Sequence, residues 1–120
     1  DVTTHGDLIP GNVLVAVPSA VVGAAPAEAR LVGLLDVGDT GPADPALDLV
    51  GAWHLLEEGP RATFRAALGD DDATWARGAA WAFEQAIGLV WYYRTTLPTF
   101  SALGRRTLDR LLHAAPTLPL

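Results

Sequence analysis

The stretch HGDLIPGN at residues 5–12 decides how this 120-residue chain is interpreted, and LLDVG at 34–38 and DPALDL at 44–49 extend the pattern. The first two stretches put a carboxylate, a carboxamide and a second carboxylate at the edges of apolar segments: Asp7, Asn12 and Asp36. Mg²⁺ prefers oxygen ligands and is usually held by one or two protein groups together with substrate phosphates. The pattern therefore indicates a magnesium site at Asn12 and Asp36, with Asp7 across it as a base.

The chain around these residues predicts two strands followed by four helices. Apolar and β-branched runs at residues 12–17 and 30–35 are typical of strands, and the Ala, Gly, Pro and Ser residues at 18–29 predict a long hairpin connection. Residues 37–45 predict a loop. Helices are predicted at 44–56, 61–68, about 70–96, and from Pro98 to Pro116. The fold class is therefore α+β and predominantly α, with the hairpin lying against the helices.

Several other prominent residues have structural interpretations. Asp44 is predicted to cap the first helix, and the acidic residues at 57–58 and 70–72 are predicted to be solvated helix ends. An alternative is that some of these acidic residues line an acidic substrate pocket. Phe83 is predicted to belong to a packed stripe of the third helix, and all four tryptophans are predicted to lie in the core: Trp53, Trp75, Trp81 and Trp91.

Composition excludes several classes of function. The net charge is −6 and no basic cluster is present, which argues against a nucleic-acid partner. The absence of Cys excludes disulfides, thiolate metal sites and a cysteine nucleophile. The most apolar stretch, residues 79–93, contains Glu84 and is too short to cross a membrane. The N-terminus does not resemble a secretory signal, and we expect a cytoplasmic protein.

The three stretches resemble the catalytic core of the aminoglycoside phosphotransferase and choline kinase group, which is related to protein kinases. The resemblance rests on His-Gly-Asp-x-x-x-x-Asn, the apolar-Asp-x-Gly loop and Asp-Pro-Ala-x-Asp-Leu. It implies that Asp7 is the catalytic base and that Asn12 and Asp36 bind Mg²⁺. It also implies that Asp48 organises the catalytic loop through backbone amides. His5 is interpreted as a structural histidine that forms hydrogen bonds within this loop.

The resemblance implies a single domain over residues 1–120, a partial C-terminal lobe of a protein-kinase-like fold. In it, a β-hairpin carries the catalytic and metal loops and about four helices follow. Val37 and Ile9 depart from the usual motif residues, but neither removes a group that the chemistry needs. Kinases of this type also need a Lys on the nucleotide phosphates and a covering lobe. The chain has no Lys, so we expect the nucleotide-binding lobe to be missing, the chain alone to be inactive, and its nucleotide-binding residues to be unknown.

The implied activity is Mg²⁺-dependent transfer of the γ-phosphate of ATP, or of GTP, to a hydroxyl of a small molecule. The acceptor is expected to be cationic, such as an aminoglycoside antibiotic, which implies a role in antibiotic resistance. Macrolide, choline, homoserine, methylthioribose and fructosamine kinases share these motifs and remain alternatives. A non-catalytic helical binding module is a second class, although it has no need of Asp7, Asn12 and Asp36 together. A metal-dependent phosphoesterase is a third, but it usually gathers two metals with more ligands.

Overall fold

The computed structural model describes residues 2–17 and 29–118, and these residues form four strands and four α-helices. Strand β1 is Val2–Thr4, β2 is Val13–Ala16, β3 is Arg30–Leu34 and β4 is Gly41–Ala43. The helices are α1 Val50–Leu55, α2 Glu58–Leu68, α3 Asp72–Tyr92 and α4 Pro98–Ala114. The predicted α+β class with predominant helix is confirmed. Within the described residues, no helix combines the length and hydrophobicity that crossing a bilayer requires.

The strands form two separate antiparallel pairs. Strands β2 and β3 form the predicted hairpin, in which Val13 lies opposite Leu34, with a register irregularity between Leu14 and Val15. The connection predicted for this hairpin falls on residues 18–28, outside the described part of the chain. Strands β1 and β4 pair over three residues each, so the prediction of a continuous loop at residues 37–45 is wrong at residues 41–43. The Gly-Pro-Ala sequence of β4 has little strand character of its own, and its pairing depends on the distant β1.

The first predicted helix is divided in two. The Asp44 side chain acts as a cap, accepting a hydrogen bond from the Ala46 amide at 3.0 Å, but the element it caps is the short 3-10 turn Pro45–Leu47. Regular α-helix begins only at Val50. The prediction of one helix over residues 44–56 is therefore wrong at its start, while the capping role of Asp44 is confirmed.

The boundaries of helices α2 and α3 agree more closely with the predicted ones. Helix α2 begins at Glu58, three residues earlier than predicted, and ends at Leu68. Gly69 follows as the C-cap, and its φ of +69° suits glycine. The Asp71 side chain caps α3 by accepting a hydrogen bond from the Thr74 amide at 2.7 Å. Helix α3 ends at Tyr92 rather than near residue 96.

The core lies between α1, α3, α4 and the 3-10 turn, and it contains two of the four tryptophans. The Trp53 and Trp75 rings are buried with their centroids 5.7 Å apart. Trp81, Phe83 and Trp91 are 39%, 50% and 72% exposed, so their predicted core positions are wrong. The buried face of α3 consists mostly of small residues that let neighbouring elements approach closely: Trp75, Gly78, Ala79, Ala82 and Ala86.

Candidate active site

The loop after β1 is fixed by the Asp48 side chain. Both carboxylate oxygens of Asp48 accept hydrogen bonds from the His5 amide, at 2.9 and 3.0 Å, and one also accepts from the Gly6 amide at 2.9 Å. Gly6 has a φ of +82°, a conformation that glycine adopts without strain. Hydrogen bonds to an ionised carboxylate are the stronger ones in proteins. Asp48 therefore holds the backbone that leads directly to Asp7.

The Asp7 carboxylate is held by the amide of Asn12. Asn12 is buried, and its Nδ2 donates to the Asp7 backbone oxygen at 2.9 Å and to Asp7 Oδ2 at 3.0 Å. The two Nδ2 protons are thus both used. In the described part of the chain, no group donates to Asn12 Oδ1, which leaves that oxygen available to a ligand.

His5 connects the Asp7 loop to the Asp36 loop. Its Nδ1 accepts a hydrogen bond from the Asp7 amide at 3.3 Å, and its Nε2 contacts the Leu35 backbone oxygen at 2.8 Å. Both contacts fit the neutral tautomer with its proton on Nε2. The Leu35 amide in turn donates to the Asn12 backbone oxygen at 2.8 Å. Asp36 is the next residue after Leu35, so its backbone begins one residue from the Leu35–Asn12 hydrogen bond.

Asp36 has an unusual backbone conformation and an exposed side chain. It has φ 56° and ψ 53°, and it is the one non-glycine residue with positive φ among those described. This left-handed conformation costs roughly 1–2 kcal/mol for most residues, less for Asp, and such strain tends to occur at functional sites. Asp36 and Asn12 offer hard oxygen ligands. Across residues 2–17 and 29–118, no cluster of three or more His, Cys, Asp or Glu side chains is placed to hold a metal.

A cavity of about 500 Å³ opens beside Asp7. The end of α3 and the start of α4 form much of its wall, which contains a second carboxylate and four aromatic rings: Glu84, Trp91, Tyr92, Tyr93 and Phe100. Sequence reasoning missed this wall. Three consecutive aromatic residues at 91–93 were the available signal, because adjacent positions on a helix cannot all face the core. The acidic residues at 57–58 line a different cavity.

Behind this cavity lies a buried histidine that sequence reasoning also missed. The His54 ring is 2% exposed, its Nδ1 contacts Thr107 Oγ1 at 2.8 Å, and its Nε2 contacts the Gln85 side-chain oxygen at 3.4 Å. Burial lowers the pKa of His54, although the Gln85 hydrogen bond and the Asp7 charge oppose this. His54 is therefore neutral at pH 7 and supports Gln85, which lines the cavity.

Comparison with known proteins identifies the family of the chain. The family model of the phosphotransferase enzyme family matches residues 1–81, a range that contains Asp7, Asn12, Asp36 and Asp48. Searches of curated proteins and of solved structures found no match. The match covers more than half of the 120 residues. Together with the three motifs and the hydrogen bonds that join them, it shows that the chain belongs to the phosphotransferase enzyme family.

Proposed function

We propose that this chain forms the base and metal side of a kinase that transfers the γ-phosphate of ATP, or of GTP, to a hydroxyl of a small molecule. The observation that carries the proposal is the Asp7 carboxylate, which Asn12 holds at 3.0 Å beside a cavity of about 500 Å³. A base in phosphoryl transfer needs a fixed carboxylate and space for the acceptor next to it.

Asp7 acts on the hydroxyl group of the acceptor. Because Asn12 occupies Oδ2 of Asp7, Oδ1 remains to accept the hydroxyl proton. The hydroxyl oxygen forms a bond to the γ-phosphorus, the bond from that phosphorus to the β-phosphate oxygen breaks, and the nucleoside diphosphate leaves. His5 and Asp48 do not take part in this transfer. They position Asp7 through its own backbone amide and those of the two residues before it.

Asn12 Oδ1 and the Asp36 carboxylate are the groups that suit Mg²⁺ in this proposal. Both are hard oxygen ligands, and two protein ligands are the usual number where phosphates complete the coordination. When bound, Mg²⁺ neutralises charge on the transferred phosphate. The Asn12 amide nitrogen, already bonded twice to Asp7, keeps Oδ1 turned away from that residue.

The cavity beside Asp7 favours a cationic acceptor, such as an aminoglycoside. Glu84 supplies a second negative charge there, and none of the described residues that line this cavity is basic. The four aromatic rings favour a second candidate in the same family, an amine with an apolar surface such as choline or a macrolide. Aromatic faces attract alkylammonium groups by roughly 0.5–2 kcal/mol each.

A lobe that binds the nucleotide is the proposed partner of this chain. The 120 residues contain no Lys to hold the α and β phosphates. We therefore expect the 120-residue chain by itself to give no phosphotransfer.

Transfer of labelled phosphate from γ-labelled ATP to an aminoglycoside, a macrolide and choline tests the proposal. The chain is assayed alone and joined to the N-terminal lobe of a kinase of this family. We expect transfer only by the joined protein, and a loss of at least about 100-fold in Asp7→Asn. Asp70→Asn is the control, because Asp70 is exposed and lies outside the cavity. Turnover by the chain alone, or full activity in Asp7→Asn, contradicts the proposal.

A further inference from the structure

A second cavity, of about 510 Å³, is distinct from the one beside Asp7. It lies between the end of α1, helix α2, the start of α3 and the C-terminal half of α4. Asp7, Asn12 and Asp36 do not line it. Two core tryptophans and four arginines do: Trp53, Trp75, Arg61, Arg65, Arg106 and Arg110.

Trp53, which lines this cavity, has an unpaired hydrogen-bond donor that is enclosed by the core. Trp53 is 1% exposed, and its indole Nε1 is the one buried side-chain polar atom without a partner in residues 2–17 and 29–118. A buried N–H without an acceptor costs about 1–3 kcal/mol, and native proteins keep few of them. The Nε1 atom has almost no accessible surface, so a ligand in the cavity does not reach it, and the Trp53 indole serves instead as a nearby reporter of binding.

The buried charges of the cavity are positive. Arg61 is 6% exposed, its guanidinium lies 4.4 Å from the centre of the Trp53 ring, and one N–H donates to the Leu56 backbone oxygen at 3.0 Å. The other donors of Arg61 have no protein acceptor among the residues described. Burial and the neighbouring Arg110 charge lower the pKa of Arg61, and a bound anion would oppose both effects.

The carboxylates of the cavity lie at its exposed rim. Glu57, whose side chain is 75% exposed, pairs with Arg110, and Glu58 and Asp109 are also exposed. Asp72, from outside the cavity, pairs with Arg65. Water screens exposed charges far more than buried ones. The interior is therefore more favourable to an anion than the formal charges suggest.

We propose that this cavity binds a small organic oxyanion, a carboxylate or a phosphate ester, that also has an apolar portion. The oxyanion accepts from the guanidinium groups of Arg61 and Arg106, both of which line the cavity. The apolar portion lies against Trp75 and Leu118, which line the same cavity. An alternative is that Arg61 and Arg110 only bind the free carbonyl groups at the end of α1. That role leaves the other donors of Arg61, which are accessible in the cavity, without an acceptor.

The test follows the indole N–H signal of Trp53 in ¹H–¹⁵N NMR spectra during titration, with Trp53→Phe used for assignment. The anionic probes are inorganic phosphate, phenyl phosphate and benzoate, and benzamidine is the cationic control of similar shape. We expect phenyl phosphate, benzoate or both to shift the signal at lower concentration than inorganic phosphate does. The stronger of the two identifies the anionic group that the cavity prefers. Benzamidine is expected to have no effect.

Two neighbouring arginines give a matched pair of variants. Both side chains are exposed, but Arg106 lines the cavity and Arg105 does not. We expect Arg106→Gln to weaken binding of the better probe roughly tenfold or more, because a charge-assisted hydrogen bond is lost. Arg105→Gln is expected to bind as the unaltered protein does. The proposal is overturned if no anion shifts the Trp53 signal, if benzamidine shifts it equally, or if the two variants bind alike.

Discussion

Replacing Asp48 by Ala tests how the loop that carries Asp7 is held. The change removes the acceptor of the backbone N–H groups of His5 and Gly6. His5 is 8% exposed and Gly6 is half-buried. A buried donor left without an acceptor costs about 1–3 kcal/mol. Water can replace the carboxylate at Gly6 more easily than at His5. We therefore expect the free energy of unfolding to fall by about 1–3 kcal/mol in total.

Urea denaturation followed by tryptophan fluorescence measures this loss, since Trp53 and Trp75 are buried in the core. Asp48→Asn keeps one acceptor oxygen and is expected to lose less. Asp70→Ala removes an exposed carboxylate and is expected to change stability by less than about 0.5 kcal/mol. A helix-dipole effect alone accounts for only about 0.3–1 kcal/mol. The organising role of Asp48 is refuted if Asp48→Ala and Asp70→Ala have equal stability and the His5 and Gly6 amide resonances do not move.

Two further predictions concern helix packing and pH. Gly104→Ala places a Cβ 2.6 Å from the Ala86 backbone oxygen, so α3 and α4 must separate, and we expect a loss of about 1–3 kcal/mol in urea melts. Gly59→Ala, where no atom lies within 4 Å of the added Cβ, is the control and is expected to cost much less. Burial lowers the pKa of His54 in the folded protein, so the unfolded chain binds that proton more readily. Stability should therefore fall as the pH decreases below about 6.5, and urea melts of His54→Gln should show a weaker fall over this range. An equal pH dependence in both proteins contradicts the neutral state of His54.

The parts of the fold that the sequence predicted are those in which local chemistry determines structure. The β2–β3 hairpin follows from apolar runs, the end of α2 from Gly69, and the start of α3 from the acidic residues at 70–72. The sequence also predicted that Asp44 is a cap. It did not predict which element follows, because the choice between an α-helix and a 3-10 turn depends on packing. In this chain a 3-10 turn at Pro45–Leu47 follows the cap, and α1 begins only at Val50.

The features that the sequence did not predict depend on contacts between distant residues. Strand β4 exists because it pairs with β1, which lies 37 to 41 positions earlier along the chain. Trp81 and Trp91 resemble core residues by type, yet α3 buries a face of small residues and leaves both rings exposed. Trp91 lines the cavity beside Asp7, and the Trp81 indole donates to Asp44 at 3.3 Å. Burial predicted from residue type was therefore wrong for these two tryptophans, because the packing of α3 favours small side chains on its buried face.

The candidate site shows the same division. The residue types at positions 7, 12 and 36 are recognisable because the proposed chemistry requires particular oxygen and amide groups. The hydrogen bonds that join these loops could not be predicted from the sequence. His5 contacts both the Asp7 amide and the Leu35 carbonyl, and Leu35 lies 30 positions away in sequence. A sequence pattern indicates that a histidine is present there, but its two partners depend on where the hairpin brings Leu35.

Binding of Mn²⁺ in the presence of ADP is the measurement that tests the central claim most directly. Mn²⁺ takes the same oxygen ligands as Mg²⁺ and broadens the NMR signals of nearby residues. We predict that broadening of the ¹⁵N-labelled chain centres on Asn12 and Asp36, extends to Asp7, and is lost in Asp36→Asn. Broadening that centres instead on the exposed acidic residues 70–72, and that is unchanged in Asp36→Asn, is the contrary result. It would contradict the proposal that the loops carrying Asn12 and Asp36 form the metal side of a phosphotransferase.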